Sequence, residues 1–314
     1  MSLPRISVLL PVYNGADYLE KAIASVLLQS MSSFELLVGN NHSTDATPQI
    51  IKNFRDSRIR CFDRPNNVGL FANVNLLLQE AQAPLVRFLS HDDLLMPDCL
   101  EAEINFFDTH PHVGMSFCKA IVIDESGNVI DHWTLGDLPP IIPPELSAQL
   151  FFYYGCIPGT QSTVCARKKC FEEVGNFNET YYNSGDYEMW VRVCRRYDLG
   201  VIHKHLIQLR NHGEQLSRSP RASLAAIAEN REIRAELLNL LPQGTRSRAK
   251  LYSKLRHNVL DVHYCVRCAL SGRLKDSFRV IRTIGLSDFS LGLLAWFFTV
   301  NNRLHRPYPR LIGG

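Results

Sequence analysis

Features common in membrane and secreted proteins are absent from this chain. No stretch reaches the ~20 consecutive apolar residues that a transmembrane helix needs. The opening is not predicted to be a secretory signal, because Pro4 and Arg5 precede an apolar run, Ile6–Pro11, that is too short. The nine cysteines are odd in number and scattered, which favours buried thiols in a reducing compartment over a disulfide framework. Cys265 and Cys268 form a CxxC without the second pair that a zinc site needs.

Acidic residues are scarce near the end of the chain. Residues 1–245 carry 21 Lys and Arg against 28 Asp and Glu, whereas residues 246–314 carry 13 against 3. The net charge of +3 thus combines an acidic body with a basic final section. A basic section favours a polyanionic partner or surface. No recognised nucleic-acid-binding module is present, so nucleic acid is not the predicted partner.

The stretch Leu85–Asp98, LVRFLSHDDLLMPD, is the one around which the chain is organised. Its apolar start predicts a buried strand, and Ser90, His91, Asp92 and Asp93 follow at the end of that strand. Open α/β sheets bind ligands beyond the carboxyl ends of their strands. Adjacent carboxylates there suit a hard divalent cation with phosphate co-ligands. The alternative is a solvated acidic turn before a helix.

Apolar runs that predict strands alternate with segments of helical periodicity. The strands are predicted at Ile6–Leu10, Phe34–Val38, Ile59–Phe62 and Leu85–Leu89. The helices are predicted at Tyr18–Ser30, Thr47–Asn53 and Leu70–Ala81. This alternation predicts a parallel sheet with right-handed crossovers, which gathers the polar segments after the strands at one edge.

Four motifs occur in order along this half: ISVLLPVYNG, FELLVGNNHSTD, NNVGLFANVN and FLSHDDLLMP. Together they resemble glycosyltransferase family 2, the inverting nucleotide-sugar enzymes with the GT-A fold. The resemblance covers about residues 5–215. It implies an α/β, GT-A-like (Rossmann-like), mostly parallel sheet flanked by helices over residues 1–220. A basic α-helical region is expected over residues 221–314.

The resemblance also implies which residues bind the donor and a divalent cation, Mg²⁺ or Mn²⁺. The donor residues are Pro11, Val12, Tyr13, Asn14, Asn40, Asn67, Gly69, Ser90, Asp93 and Arg210, and the metal ligands are Asp92 and His212. Two departures stand out. Ser90 replaces the first aspartate of the family's DxD motif, and Asn40 replaces an aspartate that contacts the base. Losing a carboxylate implies a loosely held cation. His212 is also open to a purely structural role.

Asp186 aligns by resemblance with the family's catalytic base, at the start of a predicted helix that carries Trp190. Displacement at the anomeric carbon requires that a proton be removed from the acceptor hydroxyl, and one carboxylate within hydrogen-bond reach suffices. An aspartate at a helix start also caps backbone N–H groups. Both roles stay open, and they are compatible.

The last section contains an uncharged run, Phe289–Asn302, flanked by Arg303, Arg306 and Arg310. It is too short to span a membrane, but an interfacial helix with arginines at anionic headgroups is plausible. The alternative is a helix that packs on the catalytic domain.

Taken together, these features predict an inverting glycosyltransferase that uses a nucleotide-diphosphate sugar and an acceptor hydroxyl, on a carbohydrate or a lipid-linked acceptor. The expected setting is bacterial surface-polysaccharide assembly (O-antigen, capsule or exopolysaccharide), in the cytoplasm or peripherally at the inner membrane face. A catalytically silent nucleotide-sugar-binding protein is the first alternative. A sugar-phosphate nucleotidyltransferase is disfavoured, because PVYNGADY after the first strand has one glycine and no basic residue.

Overall fold

Two central strands with side chains buried along their full length organise the fold. The computed structural model describes residues 3–301. Strands β1 (Ile6–Val12) and β2 (Phe34–Asn40) are buried at every position, as expected for parallel strands covered by helices on both faces. They pair in parallel, with Ile6 opposite Phe34 and Val12 opposite Asn40.

Within residues 3–301 the structure has ten strands and twelve α-helices. The other strands are β3 (Ile59–Asp63), β4 (Leu85–Phe88), β5 (Leu94–Leu95), β6 (Val113–Ile123), β7 (Val129–Trp133), β8 (Ile141–Ile142), β9 (Val164–Arg167) and β10 (Asp198–Arg210). The helices are α1 (Leu19–Leu27), α2 (Thr47–Asn53), α3 (Leu70–Glu80), α4 (Cys99–Thr109), α5 (Pro144–Tyr154), α6 (Lys168–Val174), α7 (Gly185–Cys194), α8 (Pro220–Leu240), α9 (Arg246–Tyr252), α10 (Asn258–Leu270), α11 (Leu274–Ile284) and α12 (Leu286–Asn301).

The strands form one sheet in the order β3-β2-β1-β4-β9-β6-β10-β5, with β7 beside β6 and β8 beside β10. The first four strands are parallel, as predicted. Strand β9 lies antiparallel between β4 and β6, and β6 and β10 are parallel to each other. The predicted α/β fold with a mostly parallel sheet and flanking helices is confirmed, and the insertion of β9 is the main feature that local pattern did not predict.

A fully buried ion pair joins the sheet to a helix, between Arg87 of β4 and Glu103 of α4. The Arg87 Nε and the Glu103 Oε1 atoms are 3.2 Å apart, and both side chains are almost completely excluded from solvent. The Arg87 guanidinium also donates to the carbonyl oxygens of Val164 and Ser162. A buried charge requires such partners, so Arg87 joins β4 to β9 and α4.

The chain divides into two compact units. The first comprises Met1–Ser147, Cys156–Thr180 and Gly185–Gly213, and it contains the whole sheet. The second comprises Ala148–Gly155, Tyr181–Ser184 and Glu214–Gly314. A domain boundary at residue 220 was predicted. The second unit begins its long segment near that position, but it also takes in two short segments from the preceding chain.

The second unit is helical, and its core includes Ile227, Cys265, Val280 and Ile284. A π-helical turn at Ser253–His257 connects α9 to α10. All nine cysteines are free thiols, and Cys265 and Cys268 are buried.

The predicted interfacial segment falls partly on α12, one side of which packs inside the second unit. Asp288 of α12 forms ion pairs with Arg231 at 3.1 Å and with Lys254 at 3.0 Å. Exposed apolar residues on α12 are Leu286, Leu291, Leu293, Leu294 and Phe297. Residues Arg303, Arg306 and Arg310 lie outside the described residues. Over residues 3–301 no single helix is long and apolar enough to cross a membrane; α11 and α12 pass that test only as a pair bent by 108°.

Candidate functional site

Three neighbouring parallel strands, β1, β2 and β4, end at the same side of the first unit's sheet, which we call the carboxyl edge. Val12 at the end of β1 lies opposite Asn40 at the end of β2. The polar segments predicted to bind a ligand therefore gather here. These segments are residues 13–18 after β1, residues 41–46 after β2 and residues 89–93 after β4.

The first two segments are joined by hydrogen bonds that involve Asn14. The Asn14 N–H donates to Ser43 Oγ at 3.0 Å, and the Thr44 N–H donates to Asn14 Oδ1 at 2.8 Å. Asn14 has a φ of 50°, a left-handed conformation that asparagine tolerates better than most residues. The Gly15 N–H donates to Thr47 Oγ1 at 2.9 Å. Asn14, a predicted donor residue, thus fixes the shape of the edge.

The remaining residues of PVYN divide between the interior and the surface. Pro11 and Val12 are buried in β1, whereas the Tyr13 side chain is 45% exposed beside the edge. Gly15 allows the third segment to approach, because a Cβ at this position would lie 2.5 Å from His91 Cδ2. Only Tyr13 and Asn14 of this motif therefore present side chains that a ligand can reach.

Asn40 is buried, and its amide is bonded on both sides. Its Nδ2 donates to Asp63 Oδ1 at 2.8 Å, and its Oδ1 accepts from the Ser43 N–H at 3.1 Å. A cavity of about 430 Å³ is lined by these three residues and by Arg64. Position 40 has no carboxylate, but the exposed residue Asp63 places one directly beside Asn40.

A second asparagine, Asn41, connects β2 to the turn before α3. Its Oδ1 accepts from the Val68 N–H at 2.9 Å, and its Nδ2 donates to Asn67 Oδ1 at 3.0 Å and to the Gly69 carbonyl at 3.1 Å. Gly69 has a φ of 90°, which only glycine adopts readily. The predicted donor residues Asn67 and Gly69 thus lie at the carboxyl edge.

The acidic segment after β4 contains a carboxylate and an imidazole in direct contact. Asp92 Oδ2 and His212 Nε2 are 3.0 Å apart, and the two side chains are 13% and 8% exposed. Ser90 is partly buried, and its N–H donates to Ser162 Oγ at 2.8 Å. The structure therefore brings the two predicted metal ligands together.

Arg210 organises the same region from beneath. It is buried, its N–H donates to Asp93 Oδ1 at 2.8 Å, and its Nε donates to the Asp92 carbonyl at 3.0 Å. The guanidinium carbon lies 4.7 Å from the centre of the Tyr18 ring, which in turn lies 4.9 Å from the His212 ring. These contacts make Arg210 and Asp93 supports of the acidic segment, and donor contacts from either remain a prediction.

The protonation of this segment follows from its burial. Burial raises the pKa of Asp93 well above its usual range, and the adjacent Asp92 carboxylate raises it further. Burial lowers the pKa of His91, with Asp92 opposing this shift and His212 adding to it. Both shifts disfavour the charged forms of His91 and Asp93, so Asp92 is the carboxylate best placed to interact with a cation.

Asp186 lies in the first turn of α7, and its Oδ1 accepts from the Tyr187 N–H at 2.7 Å. Gly185 packs against Phe71 of α3 so closely that a Cβ would lie 2.6 Å from the ring. Because α3 begins at the Gly69 turn, this packing places the start of α7 beside the start of α3. The next carboxylate, Glu188, is committed to Arg192 at 2.6 Å.

A cation site is the least complete part of the predicted site. Within residues 3–301 no group of three or more His, Cys, Asp or Glu side chains is arranged to bind a metal ion. Asp92 and His212 supply an oxygen and a nitrogen ligand. Two protein ligands suit a cation such as Mg²⁺, which takes its remaining ligands from water and substrate phosphates. The residues fit a cation held jointly with a diphosphate.

Three residues of the edge were not predicted: Tyr18, Asn41 and Ser162. Asn41 follows Asn40 in the sequence, and a pair of asparagines after a strand was a signal for a turn-bracing side chain. Tyr18 and Ser162 carried no local signal, because they meet the acidic segment from distant parts of the chain.

Comparisons with solved structures identify the class of fold. S. aureus TarS, residues 1–349, in complex with UDP-GlcNAc superimposes with a TM-score of 0.64 at 17% identity, over 96% of this chain and 93% of that chain. A second structure of the same fragment gives a TM-score of 0.63. At this identity the similarity shows the fold alone, and that fold is the one predicted.

Sequence comparisons identify the family. The model of glycosyl transferase family 2 matches residues 7–174, so the chain belongs to that family. An uncharacterized glycosyltransferase of Rickettsia felis is 30% identical over 223 residues, covering 68% of this chain and 35% of the relative. One of Haemophilus influenzae is 37% identical over 132 residues, covering 41% of this chain and 52% of the relative.

The chain spans about a third of the length of the Rickettsia felis relative. The predicted family is confirmed, and the prediction of a glycosyltransferase is confirmed at the level of the family. The roles of individual site residues and the cation stay predictions.

Proposed function

We propose that the chain transfers a sugar from a nucleoside-diphosphate donor to an acceptor hydroxyl, with inversion at the anomeric carbon. One observation carries this proposal: the Asp92–His212 pair lies at a carboxyl edge whose loops are held by Asn14 and Asn41. Prebuilt loops at the ends of parallel strands suit a nucleotide. The UDP and UDP-GlcNAc complexes of TarS support a nucleotide-sugar donor.

In this mechanism the edge binds the nucleotide and the start of α7 supplies the base. Tyr13 and Asn14 border the nucleotide, and Asp63 presents a carboxylate next to Asn40 where a base is expected to bind. The N-terminal end of a helix stabilises an ionised carboxylate, which keeps Asp186 able to accept the acceptor's proton. No side chain needs to form a covalent intermediate, because the acceptor oxygen displaces the diphosphate directly.

A divalent cation, Mg²⁺ or Mn²⁺, is part of this proposal. Asp92 and His212 would hold it, with the diphosphate oxygens as further ligands. When bound, such a cation neutralises charge that develops on the departing diphosphate. Arg210 keeps Asp92 in position through its backbone carbonyl, and Tyr18 keeps the His212 ring in place.

The acceptor and the cellular setting rest on the family and on the basic second unit. We assign the acceptor to a carbohydrate or lipid-linked carbohydrate of bacterial surface-polysaccharide assembly, at the cytoplasmic face of the membrane. The exposed apolar residues of α12 and the arginines after it support contact with an anionic surface. Because α12 packs through Asp288, a clean test deletes residues 302–314 alone, and we expect weaker co-sedimentation with anionic vesicles and unchanged nucleotide binding.

The experiment that tests the proposed function is a thermal-shift screen with UDP, GDP, dTDP and CMP. It is followed by hydrolysis assays with the nucleotide sugars of the nucleotides that bind. A ligand at 100 times its dissociation constant stabilises the folded state by about 2.7 kcal/mol. We expect one nucleoside diphosphate to stabilise the protein. The nucleotide sugar that contains this nucleoside diphosphate should be hydrolysed slowly, and the hydrolysis should require Asp186. Binding without any turnover would indicate the silent binding protein, and an absence of binding would refute both.

A further inference from the structure

Three arginines line a cavity of about 570 Å³ in the second unit, between α8 and α11. Arg221 comes from α8, and Arg279 and Arg282 come from α11. Asp276 is the one acidic residue that lines it, and its carboxylate lies 3.5 Å from Arg279. Three guanidinium groups against one carboxylate give the cavity an excess of positive charge.

The three arginines are exposed to solvent, although Arg279 forms an ion pair with Asp276. Arg221 lies 4.2 Å above the ring of Tyr182, which fixes the guanidinium without cancelling its charge. The Arg279 side chain is 71% exposed, and Arg282 is exposed too. Guanidinium groups donate in a planar fork that matches phosphate oxygens. The chemistry of the cavity therefore fits a phosphate group.

Apolar side chains flank the arginines on the same helix. Phe278 is 71% exposed and Leu274 is 57% exposed. Phe278 precedes Arg282 by four positions and Leu274 precedes Phe278 by four, so these three side chains neighbour one another along one side of α11. We propose that this surface binds the phosphate headgroup of an anionic phospholipid, with Phe278 and Leu274 in the apolar layer below the headgroups. Apolar residues beside a phosphate site favour a lipid over a free phosphate.

The test is co-sedimentation of the full chain with vesicles of phosphatidylcholine, with and without phosphatidic acid, at low ionic strength. The paired variant Arg279→Gln with Arg282→Gln should weaken binding to the acidic vesicles about thirtyfold, as expected for two basic residues near a charged surface. The matched control is Arg248→Gln with Lys250→Gln on α9, which removes the same charge elsewhere in the unit and should retain most binding. Phe278→Ser should weaken vesicle binding and leave binding of inorganic phosphate unchanged.

This proposal rests on the proposed membrane placement and adds a defined lipid site to it. All these variants keep residues 302–314, so loss of the lipid site can be distinguished from loss of the membrane contact proposed for those residues. Equal losses in the two paired variants would show diffuse charge and overturn a defined site. If the full chain did not bind acidic vesicles, the proposal of a phospholipid ligand would be wrong. Binding of inorganic phosphate that requires Arg279 and Arg282, without vesicle binding, would assign the cavity to a soluble phosphate and also overturn the lipid.

A separate observation concerns the backbone just before α7. The carboxylate of Glu229, on α8, accepts three consecutive N–H groups: Tyr182 at 2.7 Å, Asn183 at 3.1 Å and Ser184 at 2.7 Å. Tyr182 donates to Oε1, while Asn183 and Ser184 donate to Oε2. Three charge-assisted hydrogen bonds hold this segment in one conformation.

The segment leads directly into Gly185 and Asp186. We infer that Glu229 is a positioning residue, which sets the backbone from which the proposed base extends. A displacement of about 1 Å at a reacting group costs up to 10²-fold in rate. The inference rests on the proposed role of Asp186.

The test compares Glu229→Ala, which removes all three acceptors, with Glu229→Gln, which keeps one oxygen. Donor hydrolysis should fall about a hundredfold in the alanine variant and less in the glutamine variant, with the donor dissociation constant and the melting temperature nearly unchanged. The matched control is Glu232→Ala, whose carboxylate accepts a hydrogen bond from the Tyr181 hydroxyl at 3.4 Å. Its hydrolysis rate should stay close to that of the wild type.

A loss of donor affinity or of folding in step with the rate would show that Glu229 is structural and overturn the inference. Wild-type hydrolysis by Glu229→Ala would overturn it as well. If Asp186→Asn is active, the proposed base fails first, and that result is independent of both Glu229 variants.

Discussion

The two units place their charges in opposite ways. In the first unit the ionisable residues Arg87, Asp93 and Arg210 are at most 5% exposed, and each is hydrogen-bonded to backbone or to another ionisable group. In the second unit Arg279 and Arg282 lie on the surface beside exposed apolar side chains. Interior charges fix the shape of loops, whereas surface charges are available to a partner. This difference is consistent with the proposals that the first unit binds a small donor and that the second unit contacts a larger anionic surface.

The largest effect is expected at the base. Asp186→Asn keeps the size of the side chain and an oxygen for the Tyr187 N–H, but it cannot take up a proton. Transfer or hydrolysis should fall by about 10²–10⁴-fold while donor affinity stays within a small factor. Enzyme kinetics together with calorimetric titration of the nucleotide measure both quantities. Near-wild-type activity would move the base elsewhere, and Glu188 would then have to leave its ion pair with Arg192 to serve.

The next effect tests the interior charges. Arg87→Met leaves the Glu103 carboxylate buried without its cationic partner, and we expect a loss of about 3–5 kcal/mol in the free energy of unfolding. Burial raises the pKa of Glu103 to about 7 even beside Arg87, so the loss should grow as the pH rises. Urea denaturation measures it, and the surface change Arg279→Gln should alter stability by less than about 0.5 kcal/mol.

The double variant Arg87→Met with Glu103→Leu is the control for the ion pair. It should recover much of the stability, because neither charge then remains buried. If the single and double variants were equally unstable, the loss would come from packing around Arg87.

A smaller effect concerns acid lability in the second unit. Burial, with Arg234 and Arg256 nearby, lowers the pKa of His257 to about 4. A histidine kept neutral in the native state binds fewer protons than in the unfolded chain, so stability should fall as the pH drops from about 6.5 to about 4. The full shift corresponds to about 3 kcal/mol. Urea midpoints against pH should flatten in His257→Gln and keep their slope in His263→Gln, and equal slopes in both would contradict this origin.

The smallest effect is expected at the cation. We expect Mn²⁺ to tighten nucleoside-diphosphate binding by about tenfold, or ~1.4 kcal/mol, because only two protein ligands are present. Asp92→Ala should abolish this difference without changing affinity in EDTA. Calorimetric titrations that give equal affinities with metal and with EDTA in the wild type would remove the cation from the mechanism.

The first half of the fold was predictable from sequence, and the reason lies in its strands. Apolar runs such as ISVLL and FELLV are buried on both faces, so their period and their ends follow from local pattern. Position at the carboxyl edge then predicts that Asn14, Asn67 and Asp92 come together. Strand β9 was not predictable, because it pairs with β4 and β6, and both of those strands are far away in sequence.

The site was predictable only where its residues follow a strand. Asp63 supports the edge through a hydrogen bond to Asn40 that no spacing rule reveals. Glu229 lies 43 positions after Asp186 in the numbering, on a helix whose sequence shows no more than ordinary helical periodicity. In the second unit, the predicted basic region is present, but the clustering of Arg221 with Arg279 and Arg282 depends on how α8 packs against α11.

Direct displacement assisted by Asp186 is tested most directly by the configuration of a simple product. Methanol can replace the acceptor hydroxyl, and the resulting methyl glycoside cannot change its anomeric form after release. Nuclear magnetic resonance coupling constants then report the configuration at the anomeric carbon. With an α-linked nucleoside-diphosphate sugar as donor, we predict a methyl β-glycoside whose formation is lost in Asp186→Asn. A methyl α-glycoside would contradict direct displacement and the role assigned to Asp186.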